Sequence, residues 1–155
     1  MAARQRTAPP PPPLVQRDGE WRYALPAAGL ERVTVERVID GDTLDVRSFD
    51  GSALRARLFG VDVPEIGERC ADEAAAQLQS LARVAVRVLA DQRLEDGGGR
   101  QLRYLFTPNG ISIDAALIVG GLARAGDADG ALRDRLMALK MAARREQRGC
   151  LWSDG

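Results

Sequence analysis

Histidine is absent from this chain of 155 residues. Its absence excludes Ser-His-Asp hydrolysis, acid–base catalysis by imidazole and zinc sites with histidine ligands. Any hydrolytic chemistry must therefore depend on carboxylates, arginines and a hard cation that is bound through oxygen atoms.

An excess of either charge is also missing, because 22 basic residues balance 22 acidic ones. A strongly basic chain would bind nucleic acid through its overall field, whereas a neutral chain needs a local site or a bound metal for a polyanion. The apolar content of 45% and the length suit one globular domain with a single core.

Long apolar runs are missing as well. No run reaches 18 residues, so the sequence predicts no membrane-spanning helix and no membrane partner. The N-terminus lacks the apolar stretch of a signal peptide, which favours a cytoplasmic location. A secreted protein is the alternative, because the cysteines are compatible with a disulfide. We expect a monomer.

Cysteine occurs only at Cys70 and Cys150. Neither residue belongs to a C-x-x-C pair, so a cysteine metal site is not expected. Two buried thiols and one disulfide both remain open. A disulfide would close a loop of about 80 residues and would stabilise the fold by roughly 4 kcal/mol.

Residues 1–30 are predicted to form a proline-rich, disordered tail. The five consecutive prolines from Pro9 to Pro13 favour extended polyproline II structure and donate no backbone hydrogen bonds. Trp21, Tyr23 and Leu25 alternate within this segment, which allows an additional strand against the domain.

Residues 31–155 are predicted to form one domain of β-strands and helices. Alternating apolar residues predict strands, and Asp40-Gly41 is a hairpin signal. The order of elements fits an α+β fold in which a five-stranded antiparallel barrel of the OB type carries three α-helices outside. The expected strands are 33–39, 43–46, 54–59, 84–88 and 100–106, and the expected helices are 72–83, 115–119 with Asp114 as its cap, and 131–148.

The stretch from Val38 to Glu65 concentrates charged residues in a pattern that barrel packing does not require. It reads V-I-D-G-D-T-L-D-V, then a turn, and then L-R-A-R-L-F-G-V-D-V-P-E. Carboxylate oxygens bind hard divalent cations, and guanidinium groups bind phosphate oxygens. We therefore predict a site for a divalent cation and a phosphate at the mouth of the barrel, formed by Asp42, Arg57, Asp62, Glu65 and Arg100.

Three segments together resemble the staphylococcal (micrococcal) nuclease family: I-D-G-D-T, R-L-F-G-V-D-V-P-E and D-G-G-G-R-Q-L-R-Y. The resemblance extends from about residue 33 to residue 152. It implies an OB-fold, Ca²⁺-dependent phosphodiesterase that hydrolyses single-stranded or denatured DNA and RNA to 5′-hydroxyl and 3′-phosphate ends. The implied metal ligands are the carboxylates of Asp42 and Asp62 and the backbone carbonyl of Val63.

The resemblance implies catalytic roles for three further residues. Glu65 resembles the residue that activates the attacking water, and Arg57 and Arg100 resemble the two phosphate-binding arginines. These roles agree with the chemistry, since a carboxylate beside a metal is the natural base where histidine is absent. Two guanidinium groups would meet the negative charge that develops on the phosphate.

The chain departs from the family at its aromatic positions. Gly98 stands two positions before the second arginine, where the family usually has an aromatic residue. Gly126, Asp127 and Asp129 stand in the segment where the prototype has base-stacking tyrosines. Stacking contributes about 1–3 kcal/mol per base, so weaker or rearranged substrate binding is expected. Three consecutive glycines also predict a mobile Arg100, and the two aspartates would repel phosphate unless they face away.

Two functions are therefore compatible with the sequence. The retained acidic and basic residues favour an active nuclease. The lost aromatics and the neutral charge favour a catalytically weak nuclease-like module that binds nucleic acid or a protein partner.

Overall fold

The computed structural model describes residues 9–126 and 129–153. A single 3-10 turn at Ala27–Gly29 precedes the barrel. The helices are α1 (Ala71–Leu81), α2 (Ile113–Val119), α3 (Arg133–Arg145) and α4 (Gly149–Trp152). The strands are β1 (Val15–Arg17), β2 (Glu20–Arg22), β3 (Glu31–Val38), β4 (Thr43–Arg47), β5 (Ala53–Leu58), β6 (Val61–Asp62), β7 (Ala85–Leu89), β8 (Gln101–Phe106) and β9 (Arg124–Ala125).

Five strands close into a barrel in the order β3-β4-β5-β8-β7, with β7 pairing back onto β3. The five-stranded barrel with external helices confirms the predicted fold class. The expectation of a wholly antiparallel barrel was wrong, because β5 and β8 pair in parallel. An odd number of strands cannot alternate direction around a closed ring, so at least one neighbouring pair must be parallel.

The core fills the barrel and continues beneath α2. Strand residues that point inward alternate with exposed ones, as a half-buried strand requires. In β4, for example, Leu44 and Val46 are fully buried while Arg47 is exposed. Helix α2 buries most of its residues between the barrel and the other helices, which explains why all of them except Asp114 are apolar.

The segment before the barrel differs from the predicted tail. Strands β1 and β2 form a hairpin, and Leu14, Tyr23 and Leu30 are buried against the core. The Tyr23 amide donates to the carbonyl of Gly110 at 2.9 Å. From Leu14 onward this segment is therefore part of the packed domain, as the alternation of its apolar residues allows. Residues 1–8 lie outside the described part of the chain.

Helix α2 begins differently from the prediction. Ser112, rather than Asp114, is its N-cap, and its hydroxyl accepts a hydrogen bond from the Ala115 amide at 3.0 Å. Asp114 is instead buried, where its carboxylate accepts hydrogen bonds from the amides of Gly60 at 3.1 Å and Leu105 at 2.9 Å. Asp114 therefore joins α2 to the end of β5 and to β8.

A disulfide joins Cys70 to Cys150, whose Cα atoms lie 5.7 Å apart. It decides between the two alternatives that the sequence left open. The bond ties the residue just before α1 to α4, at the C-terminal end of the described chain. Among the described residues, no helix combines the length and the apolar composition that a bilayer span needs.

Candidate active site

A cleft of about 660 Å³ opens where the β3–β4 hairpin, β5 and the loop after β6 meet. Every residue that the sequence pattern predicted for the site lines it. These are Asp42, Arg57, Asp62, Val63, Glu65 and Arg100, and the cleft also contains Asp40, Pro64, Ile66 and Glu68.

The tight Asp40–Asp42 turn places the first carboxylates. The Asp42 amide donates to Oδ1 of Asp40 at 3.0 Å, and the Leu58 amide of β5 donates to the carbonyl of Asp42 at 2.9 Å. Between them, Gly41 fits closely against α1 and Val63. A Cβ atom at Gly41 would lie 2.9 Å from the Cβ of Ala74, so only glycine allows this approach.

Arg57 lies between the two predicted metal ligands. Its Nη2 atom is 2.9 Å from Oδ1 of Asp62 and 3.4 Å from Oδ2 of Asp42. Its Nη1 donates to the carbonyl of Leu58 at 3.1 Å, which fixes the orientation of the guanidinium. Asp42 and Asp62 therefore face the same point, although 20 positions separate them in the sequence.

Asp42 is unusual among the site carboxylates because it is almost fully buried. Burial, followed by the hydrogen bond with Asp40, raises the pKa of Asp42 to about 6. The hydroxyl of Thr43 and the nearby Arg57 oppose this rise, since both favour the charged form. A bound cation would favour the charged form further, because ligand carboxylates must be deprotonated.

Arg100 is held by Asp96, four residues earlier in the chain. The Asp96 carboxylate accepts from the amides of Gly98 and Arg100, each at 2.9 Å, and from Nε of Arg100 at 2.5 Å. Burial opposes the ionisation of Asp96, but the hydrogen bonds from Arg100 outweigh it and hold the pKa of Asp96 below its ordinary value. One carboxylate therefore closes the glycine turn and orients Arg100.

The Thr43 hydroxyl connects the metal side of the cleft to the arginine side. It donates to Oδ1 of Asp42 at 2.8 Å and accepts from Nη1 of Arg100 at 3.2 Å. Thr43 is itself buried at the start of β4. The orientation of Arg100 is therefore coupled to that of Asp42.

Glu65 lies on the loop that follows β6. Its backbone amide donates to the Glu68 carboxylate at 2.8 Å, which fixes the turn of the loop. Glu65 is exposed, and within the described residues its carboxylate has no hydrogen-bond or ion-pair partner. Val63 lines the cleft beside Asp62.

The charges around the cleft are unbalanced. Five carboxylates line it, but only two guanidinium groups do, and Arg100 is already paired with Asp96. Such a site attracts a cation and would repel an anionic substrate if no cation were bound. The donor set consists of oxygen atoms, which suits Ca²⁺ or another hard divalent ion.

Sequence reasoning missed three contributors to this site. Asp40 could have been found, because it lies in the same D-G-D segment as Asp42. Asp96 follows a glutamate and precedes three glycines, so it had the signature of a solvated loop. Thr43 gave no signal of its own, since threonine is ordinary at the start of a strand.

The departures from the family pattern can also be located. Gly98 occupies the glycine turn, where no aromatic side chain is present. Asp129 forms an ion pair with Arg93 at 2.8 Å, which reduces the repulsion expected for phosphate. Asp127 lies outside the described residues.

Comparison with known proteins places this site in a family. Residues 55–154 match the family model described as "Staphylococcal nuclease homologue". This chain belongs to the staphylococcal nuclease family. The matched region includes Arg57, Asp62, Glu65 and Arg100.

Three relatives of this chain extend the comparison towards the N-terminus. Protein ParB of Escherichia coli is 34% identical over 142 residues, which cover 84% of this chain and 77% of that protein. Micrococcal nuclease of Shigella flexneri is 31% identical over 140 residues, covering 84% of this chain and 79% of that protein. Thermonuclease of Staphylococcus intermedius is 33% identical over 115 residues, covering 70% of this chain and 67% of that protein.

Proposed function

We propose that this protein is a Ca²⁺-dependent phosphodiesterase that hydrolyses single-stranded or denatured DNA and RNA to 5′-hydroxyl and 3′-phosphate ends. The observation that carries the proposal is the convergence of Asp42, Asp62, Glu65, Arg57 and Arg100 on one cleft. The nuclease names of two relatives support the same reaction class.

Asp42 and Asp62, with the backbone carbonyl of Val63, would hold the cation. Their oxygens suit Ca²⁺, and the burial of Asp42 increases its interaction with a positive charge. A bound cation would supply charge neutralisation to the phosphate oxygens. Asp40 adds a further carboxylate to the same wall of the cleft.

Arg57 and Arg100 would bind the phosphate. Each guanidinium group has five N–H donors, of which only some are used by the neighbouring Asp62, Asp96 and Thr43. The remaining donors are available to phosphate oxygens. Because Asp62 and Asp96 fix the two planes in advance, little side-chain freedom is lost when the substrate binds.

Glu65 would accept a proton from the attacking water. It is exposed in the cleft, and within the described chain no cation neutralises its carboxylate. With no histidine in the sequence, a carboxylate is the available base. Attack at phosphorus would release the 5′-oxygen of the next nucleotide and leave the phosphate on the 3′ side.

A catalytically weak binding module is the second candidate. Gly98, Gly126, Asp127 and Asp129 stand where the family pattern has aromatic residues, so bases lack those stacking partners. Such a module would retain the cleft and bind nucleic acid without turnover at a useful rate.

Hydrolysis of denatured DNA in Ca²⁺, with and without EDTA, tests the proposal. We expect cleavage that EDTA stops and that Glu65→Gln reduces by at least about a hundredfold, as the loss of a general base predicts. Glu36→Gln is the control, since Glu36 lies on the outer face of the barrel and pairs with Arg47. Unchanged cleavage in EDTA, or in Glu65→Gln, would contradict the assignment.

A further inference from the structure

Arg124 lies directly beside the proposed active site. It is the partner of Asp62 in the antiparallel pair of β6 and β9. Side chains of directly opposed residues project from the same face of a sheet, with Cβ atoms about 4.5–5.5 Å apart. Since Asp62 lines the cleft, Arg124 stands at its rim.

Arg124 does not pair with Asp62, however. Its guanidinium carbon lies over the Trp152 ring, 5.2 Å from the centroid. Arg144 lies over the same ring at 5.6 Å. One tryptophan thus orders two arginines, both of them exposed to solvent.

The positive charge continues along α3. This helix contains five basic residues and one acidic residue. Lys140 lies one turn before Arg144, and residues four apart share a helix face. Among the described residues, Arg124, Lys140 and Arg144 have no ion-pair partner, whereas Arg57 and Arg100 in the cleft are both paired.

We propose that Arg124 and Arg144, which lie over Trp152, form with Lys140, one helical turn before Arg144, a rim patch that binds the phosphate backbone of a single strand as it leaves the cleft. The inference rests on the proposed function, because it assigns the path of that function's substrate. It also explains how a chain without net charge binds a polyanion: the cleft is acidic, and the unpaired basic charge lies next to it. Trp152 serves here to hold the arginines, since guanidinium groups already cover its ring.

Binding of a fluorescent deoxyoligonucleotide of about twelve residues tests the rim patch. Affinity is measured by anisotropy in Ca²⁺ at several salt concentrations, in Glu65→Gln protein so that no cleavage intervenes. The test variant adds Arg124→Gln and Arg144→Gln. The matched control adds Arg32→Gln and Arg83→Gln, which remove the same charge from exposed arginines elsewhere. A third variant, with Arg124→Lys and Arg144→Lys, keeps the charge.

The test variant should bind roughly tenfold or more weakly at about 50 mM salt, and its slope of log affinity against log salt should fall by about 1.4, as expected for two lost phosphate contacts. The control and the lysine variant should keep most of the parent's affinity and slope. Equal affinity in the test and control variants would overturn the inference. An equal loss in the lysine variant would also overturn it, because it would show that the Trp152 packing, not the charge, is responsible.

Cleavage of the same oligonucleotide by protein that retains Glu65 separates the two proposals. Cleavage in Ca²⁺ reports on the reaction, whereas the anisotropy measurements in Glu65→Gln protein report on the rim patch. If the oligonucleotide is not cleaved but its binding still depends on Arg124 and Arg144, the proposed reaction is wrong and the rim patch stands.

Discussion

The carboxylate of Asp96 accepts two hydrogen bonds from Arg100. One comes from the Arg100 backbone amide at 2.9 Å and the other from its side-chain Nε at 2.5 Å. The same carboxylate closes the turn of three glycines that precedes Arg100. One charged acceptor thus orients Arg100, because three consecutive glycines impose no conformation of their own. Asp96 is a positioning residue, because it acts on the phosphate through Arg100.

Asp96→Asn should therefore reduce hydrolysis through Arg100. Loss of a charge-assisted hydrogen bond costs about 1.5–3 kcal/mol, so kcat/KM on single-stranded DNA should fall roughly tenfold to a hundredfold. Glu95→Gln is the control, because Glu95 binds Gln101 rather than the arginine. In protein that carries Arg100→Ala, Asp96→Asn should have no further effect, and an additive loss would contradict this role.

Thr43→Val should weaken the connection between the two halves of the cleft. Valine has nearly the shape of threonine, but it can neither donate to Asp42 nor accept from Arg100. The loss of a buried hydrogen bond of about 1 kcal/mol predicts a fall in kcat/KM of roughly fivefold to tenfold. Thr43→Ser, which keeps the hydroxyl, should retain most of the activity. Equal losses in both variants would show that the methyl group, not the hydroxyl, is needed.

Much of this fold follows from local sequence patterns. The alternation in β4 and β5, and the helical spacing of Leu132, Leu136 and Ala143 around α3, correspond to buried faces in the structure. The positions of the site residues followed from the family pattern, and the structure brings them together at one cleft. The side-chain network of Asp96 and Thr43 did not follow, because such hydrogen bonds depend on which loops meet in space.

The predicted start of strand β7 was also wrong, because contacts between distant parts of the chain determine it. Val84 was expected to begin a buried strand, but it is 69% exposed and its carbonyl accepts from the Val35 amide before β7 begins. Val86 and Val88 are buried as expected. The alternation of apolar residues therefore predicted the strand correctly. Its first residue depends instead on the short connection from α1.

Reduction of the disulfide should destabilise the protein. Cys70 and Cys150 are 80 positions apart in the sequence. A disulfide that closes a loop of that length lowers the entropy of the unfolded chain and thereby raises the free energy of unfolding by roughly 4 kcal/mol. Urea unfolding of the Cys70→Ala, Cys150→Ala variant should show a loss of that order. Dithiothreitol should lower the stability of the parent but not that of the variant. No difference between the parent and the variant would contradict the prediction.

Asp114 should make stability depend on pH. Burial raises the pKa of Asp114 from its ordinary value of 3.8 to about 6, while the amides of Leu105 and Gly60 oppose the rise. The folded state therefore binds the proton more tightly than the unfolded state does. The resulting stabilisation is fully present below about pH 4 and is lost as the pH rises through about 6, with a range of about 3 kcal/mol.

Urea unfolding of the parent and of Asp114→Asn between about pH 4 and pH 7 measures this dependence. Asparagine carries no charge at any pH, so the free energy of unfolding of the parent should fall relative to that of the variant as the pH rises. The variant has a lower stability overall, because one backbone amide loses its acceptor. A constant difference between the two proteins across this range would contradict the raised pKa.

The products formed from single-stranded DNA in Ca²⁺ and ¹⁸O-labelled water test the central proposal most directly. If Glu65 activates water for attack at a phosphate held by Arg57 and Arg100, mass spectrometry should find 5′-hydroxyl ends and one ¹⁸O atom in each new 3′-phosphate. Products with 5′-phosphate ends, or stable DNA binding without cleavage by the calcium-loaded protein, would contradict the account.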